Sequence, residues 1–149
     1  MTSWQEFAQQ APEIAEFGKA RWQNGVAYLG TLRADGGPRV HPVTPIVGGQ
    51  LFLFMEPTSP KGKDLQRDDR YTLHCAVENM DGGSGEFYVR GHATLVTDPL
   101  IRQQAIQAAT YTPRDRYILF VLSVESAFMN VYTESGPNVR RWSAADDKA

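Results

Sequence analysis

The run Thr58-Ser59-Pro60-Lys61-Gly62-Lys63-Asp64 sets a capping hydroxyl, a first-turn proline and two lysines directly after the apolar run Leu51 to Met55. Serine accepts from the unpaired N–H groups of a first helical turn, and proline fits there because its missing N–H would have had no partner. Backbone N–H groups and the positive end of the helix dipole would then stand beside the lysines, which is chemistry for holding a phosphate. Lys61 and Lys63 cannot share a helix face, yet from the first turn both side chains can reach an anion from opposite sides. A capped, solvated surface helix would use the same residues.

The second candidate is Arg39-Val40-His41-Pro42-Val43-Thr44-Pro45. Two prolines remove ladder donors and confine a strand to an edge or a bulge, so neighbouring backbone groups need other partners. A flat heterocycle with hydrogen-bonding edges suits such a strand, and so does an edge protected against aggregation. His41, His74 and His92 fall on separate predicted strands with no helical histidine pair, so no zinc site is expected. Cys75 alternates with its strand as a buried, inert thiol, and His74 beside it faces the other way. Gly82-Gly83-Ser84-Gly85 lacks the final glycine of a nucleophile elbow and reads as a flexible loop. No catalytic residue is identified, and the glycine fingerprints of dinucleotide and phosphate-loop folds are absent from the sequence.

These residues need a scaffold. Trp4, Phe7, Ala8, Ala11, Ile14 and Phe17 recur at helical spacing, with Pro12 dividing two short helices in a segment of about residues 3–24. Strand patterns follow at Val26 to Arg33, Pro38 to Val47 and Leu51 to Met55, and again at Tyr71 to Val77, Glu86 to Thr97, Tyr117 to Glu125 and Phe128 to Tyr132. Asp35-Gly36 predicts a tight hairpin between the first two, and the first three together predict a meander. Asp98-Pro99 starts a further helix with Ile101, Ala105 and Ala108 on one face. Six or seven strands with two or three helices predict an α+β, mainly β, antiparallel barrel spanning residues 1–149 as one domain.

The formal charge of −2 gives no electrostatic case for nucleic acid, and the single cysteine forbids an intrachain disulfide. No basic-then-apolar leader and no bilayer-length apolar run is present, so a cytoplasmic setting without membrane contact is expected.

In order along the chain, these segments resemble the pyridoxamine-phosphate-oxidase-like, FMN-binding split-barrel superfamily. Val26 to Val43 resembles its first hairpin, and Ser59-Pro60-Lys61, Leu65, Arg67-Asp68 and Arg70 its serine, lysine and leucine spacing. Glu86 to Ala93 is similar to its glycine-x-alanine strand, and Pro137-Asn138-Val139-Arg140-Arg141-Trp142 to its closing strand. The likeness covers about residues 25–143 and departs at Asp64, where many relatives have asparagine, and at Asp68-Asp69-Arg70 in place of Asp-Pro-Arg. No histidine follows His92, so the family's arginine and histidine clamp for pyridoxamine phosphate is missing. The resemblance implies a homodimer carrying FMN, or a deazaflavin coenzyme, at its interface. Ser59 and Lys61, with Lys63 as helper, would hold the phosphate; Val40, His41, Pro42, Val43 and Thr44 would line the ring; Arg140 and Trp142 of the other subunit would cover it. The implied function is a flavin-dependent oxidoreductase acting on a small molecule; the alternative is a flavin-binding or stress-related protein without rapid turnover.

Overall fold

Ser3 caps helix α1 (Trp4–Gln10) by accepting from the Glu6 N–H, and Pro12 opens helix α2 (Pro12–Trp22), so the chain restarts its helix at the predicted proline. The computed structural model describes residues 1–23 and 25–145. Strands β1 (Ala27–Leu32) and β2 (Pro38–Val43) form the expected hairpin. The connection falls at Ala34-Asp35-Gly36-Gly37 as expected: Leu32 pairs with Pro38 and the Arg33 N–H donates to the Gly37 carbonyl, but of the Asp-Gly pair Gly36 alone takes a positive φ, +85°.

The predicted run Pro38 to Val47 is two strands. Thr44 and Pro45 turn the chain away from β1, and β3 (Ile46–Gly48) pairs instead with β4 (Gln50–Met55), so the three-strand meander does not form. Proline at a corner explains this, because it cannot donate to a continuing ladder. Helix α3 (Pro60–Arg67) leads to β5 (Arg70–Cys75) and β6 (Glu86–Leu95). Helix α4 (Pro99–Ala108), capped by Asp98, precedes β7 (Ile118–Leu122), β8 (Ser126–Thr133) and β9 (Gly136–Ser143). Nine strands and four helices among the described residues thus replace the six or seven and two or three expected.

All ladders are antiparallel. One face of the half-barrel runs β2-β1-β5-β6-β8-β9, and the other runs β3-β4-β7-β6. Strand β6 belongs to both: Glu86 to Arg90 pairs β8, Tyr88 to His92 pairs β5, and Ala93 to Leu95 pairs β7. Every residue from Leu51 to Met55 is buried, because β4 has a core on each side. Leu51, Leu53 and Met55 join the main core with Phe7, Trp22, Leu73 and Phe87, while Phe52 and Phe54 lie beneath α4 with Ala105 and Leu119. This is why the run shows no polar alternation.

Where β6 passes from one face to the other, Gly91 lies against the Ser123 backbone: an added Cβ would stand 2.2 Å from the Ser123 carbonyl oxygen. The family-like glycine is therefore a spacing requirement. Gly91→Ala is expected to lower the unfolding free energy by about 1–3 kcal/mol. Urea unfolding measures this, and an unchanged midpoint would show that the crossing yields without cost.

Candidate functional site

Helix α3 is tied to the first hairpin through one carboxylate. Asp64 is 2% exposed and accepts from Thr31 Oγ1 on β1 at 2.8 Å, from Arg39 Nε on β2 at 2.7 Å and from Arg67 Nη2 at 3.1 Å. Thr31 and Arg39 are direct cross-strand partners, so both side chains leave the same face of the hairpin. Arg67 also donates to the Leu32 carbonyl, which closes the contact at the hairpin's end. Burial alone would push the Asp64 carboxyl up, but the three donors together hold it below its ordinary value.

That contact sets the position of the first turn of α3. Ser59 Oγ donates to the Glu56 carbonyl at 2.7 Å and accepts from the Gly62 N–H at 3.2 Å, while the Lys63 N–H goes to the Ser59 carbonyl. Pro60 has no N–H, so the Lys61 amide is the first-turn donor outside the cap. A Cβ at Gly62 would stand 2.9 Å from Ser59 Oγ and 3.1 Å from the Glu56 carbonyl, so the turn closes tightly around this serine.

Lys61 is half-buried and acts on His41 of β2, whereas Lys63 is exposed. Burial, then Lys61 and Arg39, press the His41 imidazole below its ordinary pKa, with Asp64 opposing. Its Nε2 is buried with no hydrogen-bond partner among the described residues. Arg39 meets Asp64 through Nε, so that bond does not consume its two Nη nitrogens. Lys61, Arg39 and a neutral His41 therefore form a small basic corner that can receive an anion.

The segment Val40 to Thr44 presents two faces. Val40, 66% exposed, and Pro42 point outward, while Arg39, His41 and Val43 share the other face and Val43 packs on the main core. Among the described residues strand β2 is an edge, paired with β1 alone. Thr44 is half-buried at the corner that follows. Arg140 and Trp142 lie on β9, the opposite edge of this face, about 24 Å away along the sheet at five strand spacings. Within their own chain Arg140 pairs with Glu13, and Trp142 donates from Nε1 to Gln10 Oε1 at 3.3 Å and packs on Phe7. One chain does not bring them to Lys61.

Between the two edges runs a row that sequence patterning did not single out. Tyr28, His74, Tyr88, Phe128 and Arg141 are successive cross-strand partners on the outer face. His74 stacks on Tyr88 at 5.9 Å, Tyr88 on Phe128 at 5.1 Å, and the Arg141 guanidinium covers Phe128 at 5.3 Å. Nearby, a concavity of about 350 Å³ opens over Gly30, with Arg70, Thr72, Arg90 and His92 on its walls. Arg70 is held there by Asp68, whose carboxyl it draws down to about 2, and His92 by Asp69 at 2.7 Å. Cys75 is buried on the inner face, and no group of three metal-ligating side chains occurs among the described residues. No helix among them is long and apolar enough to cross a membrane.

No protein-family model matches the sequence, and no curated protein matches it. Solved structures do. PhzG from Burkholderia lata 383, in complex with tetrahydrophenazine-1-carboxylic acid, superposes with a TM-score of 0.64 at 12% identity, over 95% of this chain and 87% of that one. A Listeria innocua protein assigned as a pyridoxamine 5'-phosphate oxidase gives 0.61 at 16% identity, over 76% and 95%. A heme binding protein from Mycobacterium smegmatis gives 0.63 at 19% identity, over 83% of this chain but only 57% of its own length. The architecture is thus the split barrel of the pyridoxamine 5'-phosphate oxidase type, as the sequence resemblance implies.

Replacing Asp64 tests whether it organises this corner. Because its pKa is lowered on folding, its contribution is present above the unfolded carboxyl value and is lost as pH falls through the folded one. Asp64→Ala is expected to cost about 2–4 kcal/mol at neutral pH. The gap from wild type should narrow below about pH 4. Denaturant unfolding at several pH values checks both, and a gap independent of pH would rule out the ionised carboxylate as its source.

Proposed function

We propose that this split barrel binds a flavin-type cofactor, FMN or a deazaflavin, and serves as an oxidoreductase toward a small molecule. The basic corner carries the proposal: a half-buried Lys61 acts on His41, and Arg39 beside them meets Asp64 through Nε rather than through its two Nη nitrogens. Lys61 and the Lys61 N–H would hold the phosphate, and Ser59 would keep the turn in place through its two existing hydrogen bonds. Lys63 would add long-range attraction from the exposed side of α3.

The segment Val40 to Thr44 would line the ring along the open edge of β2. Arg140 and Trp142 would come from a second copy, because in one chain they lie on the far edge. The outer row favours that pairing, since Tyr28 remains 44% exposed and Tyr88 and Phe128 stack beside it on the same face. Bound flavin supplies hydride chemistry, and the protein's part is to hold, orient and shield it. A second reading, in which a planar cofactor is carried without turnover, draws on the likeness to the heme binding protein.

An anion seated against His41 favours the charged imidazole, so FMN should raise its pKa. NMR titration of His41 is expected to show a value below the ordinary one in the free protein and an upward shift with FMN. Lys61→Ala should weaken FMN binding by about tenfold or more. Absence of binding by both FMN and a deazaflavin would end the flavin reading; binding without reduction by any nicotinamide or deazaflavin donor would favour the carrier.

A further inference from the structure

Gly30 stands inside β1, yet nothing in its own chain requires a glycine there. Its φ is not positive, and an added Cβ would meet only Thr72, at 3.7 and 3.8 Å, which is ordinary contact. Glycine weakens a strand interior, and where the backbone does not need it, it marks a place that something else approaches closely. The outer face of the sheet is hollow at this point: the concavity of about 350 Å³ has the bare backbone of Gly30 in its floor.

Cross-strand pairing builds the walls. Gly30 pairs with Thr72 and Thr72 with Arg90, two residues from Tyr28, His74 and Tyr88 and so on the same face, about 7 Å along the strands from the row of rings. Beyond them Leu32 pairs with Pro38, and Arg70 with His92. Two of these polar side chains are held by carboxylates that do not line the hollow. Asp68 takes Nε and Nη2 of Arg70, which leaves Nη1, and Asp69 takes Nδ1 of His92, which leaves Nε2. Asp69 stands at the proline position of the family-like Asp-Pro-Arg, so that departure supplies His92 with its partner. The Ala93 N–H donates to the Asp69 carbonyl, which fixes residue 69 beside β6.

Among the described residues no acidic side chain lines the hollow. Its cations, a threonine hydroxyl and the apolar side chains of Leu32 and Pro38 surround a flat floor, at a size near the small end of ligand sites. A guanidinium matches the planar geometry of a carboxylate. We propose that this hollow binds a small planar carboxylate, its body lying on Gly30 and its oxygens accepting from Arg70, with His92 closing one side. His41 faces the other side of the hairpin, so the site is separate from the basic corner and does not rest on the flavin proposal.

Benzoate is the probe, added to the isotope-labelled full chain, and the His92 ring resonance, identified by its absence from the spectrum of His92→Gln, is the reporter. Benzoate is expected to move this resonance saturably. Gly30→Val fills the floor without touching a charge and should abolish the shift. Valine suits a strand, so the urea midpoint of this variant should be no lower than that of the wild type, which separates lost binding from lost fold. Arg70→Met, at an exposed position, should weaken binding about tenfold, and neutral benzamide should bind weakly to a similar degree. A His92 resonance unmoved by benzoate, moved equally by benzamide or still moved in Gly30→Val overturns the site. Benzoate binding that is lost in Lys61→Ala would belong to the corner at His41 and overturns it too.

Discussion

The Asp64 carboxylate has three donors from three places in the chain: Thr31 on β1, Arg39 on β2 and Arg67 at the end of its own helix. Without it, α3 would have little reason to stand at one angle to the hairpin, since Leu65 is the only large apolar side chain it buries. A buried carboxylate is tolerated only when such donors replace its lost water, and here they outweigh the penalty. Everything in the basic corner depends on this. The Ser59 turn, the height of Lys61 and the approach of Arg39 to His41 are all set by how α3 meets β1 and β2.

The same economy appears in the barrel. Strand β6 is long enough to serve both faces, and Gly91 lets it pass close to Ser123 at the crossing. Tyr71 and Ser123 secure that crossing: the phenol donates to the Ser123 carbonyl at 2.7 Å, and Ser123 Oγ donates to the buried Glu125 at 2.7 Å. Burial, with Glu125 beside it, pushes the Tyr71 hydroxyl well up, so it remains a neutral donor. The second core beneath α4 then stiffens β4, from which the α3 turn departs. A rigid strand before the turn and an anchored helix after it allow a short loop to hold a defined shape.

Local chemistry was legible in the sequence. The Ser59-Pro60 start, the Pro12 break, the Asp98 cap and the first hairpin depend on neighbours a few residues apart, and each appears near its expected place. The corner at Thr44-Pro45 was only half legible: its prolines announced an edge, but not the passage of the chain to the other sheet. Strand count suffered for the same reason, since a run of strand-forming residues does not say which ladder it joins.

By itself, then, the sequence determined the caps, the breaks, the apolar runs and the order of elements that make a split barrel. Tertiary structure decided what those elements bring together. Asp64 looked like one acid among several in a polar helix, and only the pairing of Thr31 with Arg39 makes it an anchor. The Nε2 of His41, without a partner among the described residues, and the outer row from Tyr28 to Arg141 also have no local signature. Capping and turn energies act over three or four residues, whereas burial and pairing join residues tens of positions apart, so they exist only once the chain has closed on itself.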